Sequence, residues 1–159
     1  MTNCIFTLGY EGLSLQKFIE QLQAAGVQTV VDVRANPLSR KPGFSKRAFA
    51  AALNAAGITY VHSSALGCPK SVRDGYKRDG DWAAYTRHFF AHLKNQSEAV
   101  AQLARSAAQA RTCLVCFEAD FNRCHRTFVG QAAGKINGMT LSHLMKRTEI
   151  PDEAVRSAS

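Results

Sequence analysis

Short apolar runs that end in glycine or a charged residue alternate with stretches whose apolar residues recur every three to four positions, and this alternation most limits the fold. Ile5 to Leu8 runs into Gly9-Tyr10-Glu11-Gly12, after which Leu15, Phe18, Ile19 and Leu22 keep helical spacing. Ser14 is placed to cap that helix and Gly26 to close it. Thr29-Val30-Val31-Asp32-Val33 follows as a β-branched strand. Ser45 then precedes a stripe of Phe49, Ala52, Leu53 and Ala56, closed by Gly57 before Ile58-Thr59-Tyr60-Val61. The echo of "AAGV" in "AAGI" is shared helix-to-strand loop chemistry, not a repeat array.

Residues 63 to 81 show no sustained period and read as a long loop before a helix bearing Trp82, Tyr85, Phe89 and Leu93. An Ala-rich helix over roughly 97–109 leads to a strand at Thr112–Phe117 and a helix to about 134, with Met139 to Leu144 as a short edge strand. Parallel neighbours need crossover connections, so the alternation predicts an α/β fold. We expect a single domain over residues 1–147, with a four- to five-stranded, mostly parallel sheet and helices on both faces, then a flexible C-terminal tail at 148–159. In such sheets ligands bind beyond the carboxyl ends of the strands. That rule gathers Gly9 to Gly12, Asp32 to Pro37, His62 to Gly67 and Glu118 to Arg126 on one rim.

A hydrophobic share of 46% with 20% charged residues excludes a largely disordered chain of 159 residues. Five widely spaced cysteines, no secretory signal and no apolar run on the order of 18 residues predict reduced thiols in a cytoplasmic protein with no membrane contact. The net charge of +8 is unevenly spread. Between Val33 and Arg73 no acidic residue interrupts Arg34, Arg40, Lys41, Lys46, Arg47, Lys70 and Arg73. A solvated face and a surface for phosphate or nucleic acid both account for such a run.

Several chemistries are set aside by spacing. Cys113-x-x-Cys116 lies within a strand, where side chains three apart point to opposite faces, so two core thiols are expected rather than a redox pair. Neither Cys68 with Arg73 nor Cys116 with Arg123 has the spacing of a phosphate-wrapping nucleophile loop. Cys124 and His125 are adjacent rather than in spaced pairs, so no metal is expected, although a site completed by His62 stays open. No dinucleotide fingerprint or Walker loop is present, and no cofactor is expected.

Cys124 has two readings. Capped by Asp120 or Asn122, a helix would hold the thiol in its first turn, where the macrodipole and Arg126 favour a thiolate. Phe121, Cys124, Phe128 and Ala132 also form a stripe at helical spacing, and spacing alone favours a core thiol. Asp32 and Arg34 share a strand face and need partners. Ion pairs from Glu118 to Arg34 or from Asp32 to Arg126 would supply them, and so would a substrate held in a fork between Arg34 and Arg126.

The segments "TLGYEG", "VDVRANPLSRKPGFSK", "YVHSSALG" and "CFEADFNRCHR", in that order, closely resemble the bacterial and archaeal family catalogued as domain of unknown function 488. The resemblance runs from about Phe6 to about Leu144. It marks Gly9, Tyr10, Asp32, Arg34, Pro37, Gly67, Glu118, Cys124, His125 and Arg126 as site residues and implies no catalytic roles. Cys68 stands where the family usually has a second glycine after Leu66-Gly67.

Together these readings lead to an expected hydrolase or group transferase binding a phosphate-bearing substrate, a nucleotide or nucleic acid, in a basic cleft. Asp32, Glu118, Cys124 and His125 are the candidates for chemistry, and Gly9, Tyr10, Arg34, Arg40, Gly67 and Arg126 for binding. The alternative is a non-catalytic nucleic-acid-binding module that uses the basic segment, with Phe44, Tyr60 or Trp82 as stacking groups.

Overall fold

The structure, a computed structural model, describes residues 4–145 and the backbone of 149–151. Its order is β1 (Cys4–Gly9), α1 (Leu15–Ala24), β2 (Thr29–Asp32), α2 (Lys46–Ala55), β3 (Thr59–His62), α3 (Lys70–Asp79), α4 (Trp82–Lys94), α5 (Ser97–Gln109), β4 (Thr112–Cys116), α6 (His125–Asn137), β5 (Thr140–Leu144) and β6 (Glu149–Pro151). The strands form one sheet in the order β3-β2-β4-β1-β5-β6. β1 to β5 are all parallel, as the alternation predicts, and β6 joins antiparallel.

Strand pleating sends alternate side chains to two cores. Phe6, Leu8, Val30, Cys113 and Val115 meet Phe18 and Leu22 of α1 and Phe49 and Leu53 of α2. Ile5, Val31, Leu114 and Cys116 meet Phe89 and Leu93 of α4, Leu103 of α5, and Val129 and Ala133 of α6. Cys113 and Cys116 are therefore buried on opposite faces, as core thiols.

Ser14 caps α1 as expected, accepting from the Lys17 amide at 3.2 Å. Ser45 begins α2 without capping it, because its hydroxyl is spent on the Ser39 amide and carbonyl at 3.0 and 3.1 Å. Met139 to Leu144 does yield a strand, but β5 lies between β1 and β6 instead of at an edge. Glu149–Pro151 pairs with β5 inside the stretch expected as a tail, while 148 and 152–159 lie outside the described residues.

The expected loop at 63–81 instead contains a short 3₁₀ turn, Ser64–Leu66, and all of α3. Its apolar signal reduces to Val72 and Tyr76, one turn apart, with Val72 packed on the core of the α4–α6 side and Tyr76 against Trp82 and Tyr85. Gly80, left-handed with φ 65°, closes the helix. With no fully buried residue, α3 lies over the carboxyl end of the sheet as a wall rather than as part of a core.

Two glycines bring the rim loops together. A Cβ on Gly9 would lie inside the Glu118 carbonyl, and one on Gly67 inside the Ala35 backbone. Gly9→Ala must push the Glu118 loop off β1, and a loss of about 1–3 kcal/mol in urea unfolding is expected. An unchanged midpoint would show that the loop yields freely.

Candidate functional site

Beyond the ends of β1, β2 and β4 lies a cleft of about 620 Å³, walled by α3 and the start of α4. Tyr10, Arg34, Glu118, Cys124 and His125, all singled out by sequence, line it together with Cys68, Cys116, Phe117 and Arg123. Arg73, Tyr76 and Lys77 of α3 and Trp82 and Tyr85 of α4 complete the far wall. Sequence reading placed Arg73 in the basic run and offered Trp82 as a stacking group, but it missed Tyr76 and Lys77, which sat in a presumed loop, and took Tyr85 only as part of a helix stripe.

Asp32, Gly9, Gly67, Arg40 and Arg126 do not line the cleft. Asp32 is fully buried and its carboxylate is saturated. Oδ1 accepts from the Arg34 amide at 3.1 Å and from Nε at 2.9 Å, while Oδ2 accepts from Nη2 at 2.7 Å and from the Tyr60 hydroxyl at 2.6 Å. The remaining Arg34 nitrogen, Nη1, donates to the Tyr10 hydroxyl at 3.2 Å and the Phe44 carbonyl at 2.6 Å. Burial pulls the Arg34 pKa down, but Asp32 outweighs it and holds the guanidinium above its ordinary value. Burial, then the bond to Asp32, pushes the Tyr60 phenol up. Asp32 is thus an anchor, with no lone pair left for general base work. Glycines 9 and 67 serve loop contact, and Arg40 is exposed outside the cleft.

The fork of Arg34 and Arg126 is not assembled, because the two arginines belong to opposite faces of the sheet. Arg34 lies among Tyr10, Phe44 and Phe49 on the α1–α2 side, and Arg126 beside Cys116 on the α4–α6 side. Neither ion pair considered from sequence forms, since Asp32 and Arg34 satisfy each other.

Cys124 stands at the N-cap of α6, after a 3₁₀ turn (Phe121–Arg123) that Asp120 caps through the Asn122 amide. The thiol is 2% exposed and part of the core, as the stripe predicts, and it borders the cleft from the N-cap of α6 rather than from the first turn of a helix capped by Asp120 or Asn122. The next residue, His125, donates Nε2–H to the Val33 carbonyl at 2.6 Å. That bond leaves Nδ1 with its lone pair facing the Cys124 sulfur at 3.9 Å. Arg126 is 0% exposed, and Nη1 donates to the Cys116 sulfur at 3.4 Å and the Glu118 carbonyl at 2.5 Å. Among the described residues its buried Nε and Nη2 have no hydrogen-bond partner.

A buried cation with no carboxylate in its ion pairs needs another source of negative charge. The thiols are at hand. Burial raises the Cys124 pKa, but hydrogen bonding from Cys116 and the charge of Arg126 outweigh it and bring it down to about 7. Cys116 is pushed well up by burial and by its bond to Cys124, so the pair shares one negative charge. Burial and then the neighbouring Glu11 raise the Glu118 carboxyl, with Arg126 opposing. The Tyr85 hydroxyl is held protonated by burial and by the surrounding thiols, Cys68 first.

Ligand atoms of Cys116, Cys124 and His125 lie within 4.8 Å of one another, a donor set that suits a soft divalent ion. The Arg126 guanidinium already supplies a positive charge at the Cys116 sulfur, so we read the cluster through its thiols. His62 does not join it, because its Nε2 donates to the Arg34 carbonyl at 2.8 Å.

Two outcomes follow from this arrangement. Alkylation of Cys124 in the folded protein should rise with pH through an inflection at about 7, whereas inertness until denaturation would make the thiol a packing residue. Arg34→Lys keeps the charge but loses the fork, and should cost about 1.5–3 kcal/mol of stability with Cys124 alkylation unchanged. A stability equal to wild type would remove the anchoring role.

Among the described residues no helix is long and apolar enough to cross a membrane. No curated protein and no solved structure matches this chain. A family model described as "Domain of unknown function DUF488" matches residues 14–133, from the start of α1 into α6. This span takes in β2, β3, β4, the wall helices and the Cys-His-Arg turn, and the chain belongs to the DUF488 family.

Proposed function

We propose that this protein is a thiol-dependent hydrolase or group transferase acting on a phosphate-bearing substrate such as a nucleotide. The observation that carries the reading is Arg126, a fully buried cation whose side chain meets a sulfur and a carbonyl instead of a carboxylate, at the helix start that presents Cys124. A cation in that position stabilises a thiolate before any substrate arrives. His125 Nδ1 is oriented to take the thiol proton, since Nε2–H is committed to Val33. Glu118, with its raised pKa, stands at the cleft as a proton donor to a leaving group.

Substrate charge has its own counterpart. Arg73 and Lys77 on α3 and Arg123 before Cys124 line the same cleft, with the Arg123 guanidinium 5.5 Å from the Trp82 ring centre. Phosphate is bound by such side chains as point charges or forks, and Phe117, 45% exposed on the near wall, offers an aromatic face for a base. Arg34 also lines the cleft, where Asp32, Tyr10 and Phe44 engage its Nε, both Nη1 hydrogens and one of the two on Nη2, so it shapes the wall and has one donor left for a substrate.

The test is a turnover screen over nucleotides, phosphate esters and short oligonucleotides with wild type, Cys124→Ser and Arg123→Glu. Cys124→Ser should lose at least about 100-fold in kcat with the fold retained, in keeping with loss of a covalent nucleophile. Arg123→Glu should raise KM more than it lowers kcat. Oligonucleotide binding with a steep salt dependence, unaffected by Cys124→Ser and without turnover, would point instead to a non-catalytic module.

A further inference from the structure

The cleft holds more sulfur than a single nucleophile requires. Cys116 ends β4 and Cys124 begins α6, eight residues on, and their sulfurs lie within 4.8 Å of each other on the same face of the sheet. Cys113, the other cysteine of that strand, faces the opposite core and cannot take part. Arg126 donates to the Cys116 sulfur, and among the described residues its buried Nε and Nη2 have no hydrogen-bond partner. Both cysteines border the open cleft, so a small oxidant reaches them without unfolding the core.

We infer that Cys116 is the resolving partner of Cys124, and that hydrogen peroxide closes a reversible Cys116–Cys124 disulfide that switches the site off. The inference rests on the reading of Cys124 as a reactive thiol, and on no particular substrate. In the first step the Cys124 thiolate attacks one peroxide oxygen and the O–O bond breaks. Cys124 becomes a sulfenic acid, and the departing hydroxide leaves as water with the proton that Cys124 had given up. In the second step the Cys116 sulfur attacks the Cys124 sulfur, the S–O bond breaks, and hydroxide leaves as a second water with the Cys116 proton. Two thiols lose two electrons in all, and one peroxide becomes two waters.

The geometry asks for little movement. A disulfide needs the sulfurs at about 2.05 Å, which side-chain rotation at an N-cap and a strand end can approach from the present separation. Arg126 then determines how firmly the bond holds. With both sulfurs neutral, the buried guanidinium has lost its negative partner, so the oxidised state is penalised and the disulfide is readily reduced. A sensor requires such a bond, whereas a structural staple requires the reverse.

The experiment is peroxide treatment of the purified protein at pH 7, followed by peptide mapping under non-reducing conditions. The expected result is a Cys116–Cys124 cross-link in wild type, with loss of alkylatable Cys124 and its full return on adding dithiothreitol. In Cys116→Ser the cross-link should be absent and Cys124 should proceed to sulfinic acid, with loss of dithiothreitol rescue. Wild-type mapping needs no variant, so a Cys116→Ser protein that fails to fold leaves the test intact. A cross-link from Cys124 to Cys68 would overturn the pairing. So would an unlinked sulfinic acid in wild type, or one equivalent of zinc held by the purified protein with both thiols unreactive. Because the mapping uses no substrate, a failed turnover screen with the cross-link present would discard only the proposed reaction.

Discussion

The carboxylate of Asp32, enclosed at the end of β2, is the interaction around which the rim is built. It takes the Nε–Nη2 edge of the Arg34 guanidinium, an amide of its own turn and the Tyr60 hydroxyl. Through Arg34 it reaches Tyr10 after β1 and the Phe44 carbonyl ahead of α2. Removing two charges from water is expensive, and the cost is recovered only where their donors and acceptors are met. Here the carboxylate and all but one guanidinium donor are met by groups from several connections, so the loops after β1, β2 and β3 hold a common geometry. Tyr10 stacks on Phe44 at 4.4 Å and carries this order to the mouth of the cleft.

Across the sheet the same residue type does different work. Arg34 is neutralised by the Asp32 carboxylate, while Arg126 has sulfur and a carbonyl for company and, among the described residues, keeps two nitrogens unsatisfied. An unsatisfied buried donor costs on the order of 1–3 kcal/mol. A thiolate recovers part of that cost, so the protein's own stability favours ionisation at Cys124. His125 ties the two halves together, since its Nε2–H reaches across to the Val33 carbonyl between Asp32 and Arg34.

Much of this was legible in the sequence wherever one element decides the outcome. The β-branched run at β2, the stripe of α4 and the opposed Cys113 and Cys116 follow from local periodicity, and the structure places them as that periodicity requires. The rim segments could be gathered because parallel strands end together. The faces could not be assigned, because whether α6 presents Arg126 above or below the sheet depends on the crossover, and so a fork of two arginines looked reasonable. Helix α3 was hidden for another reason. Six of its ten residues are charged, it contains Gly75, and of its two apolar residues Val72 packs on the core and Tyr76 faces aromatic rings of the next helix. For Cys124 the stripe indicated burial and the helix start indicated a place on the rim, and sequence offered no means of seeing that one side chain is both buried and cleft-lining.

The thinness of α3 has a further consequence. It forms one wall of the cleft, yet has no fully buried residue and is held chiefly by Val72 on the core and Tyr76 edge-on to Trp82 and Tyr85. Segments anchored so lightly open at a fraction of the free energy of global unfolding. Helix α3 should therefore open about the Gly80 turn before the sheet does. The cleft that leads to the Cys124 thiol widens when ten residues swing, while the sheet beneath stays shut, a difference that amide exchange of α3 against β4 would read directly.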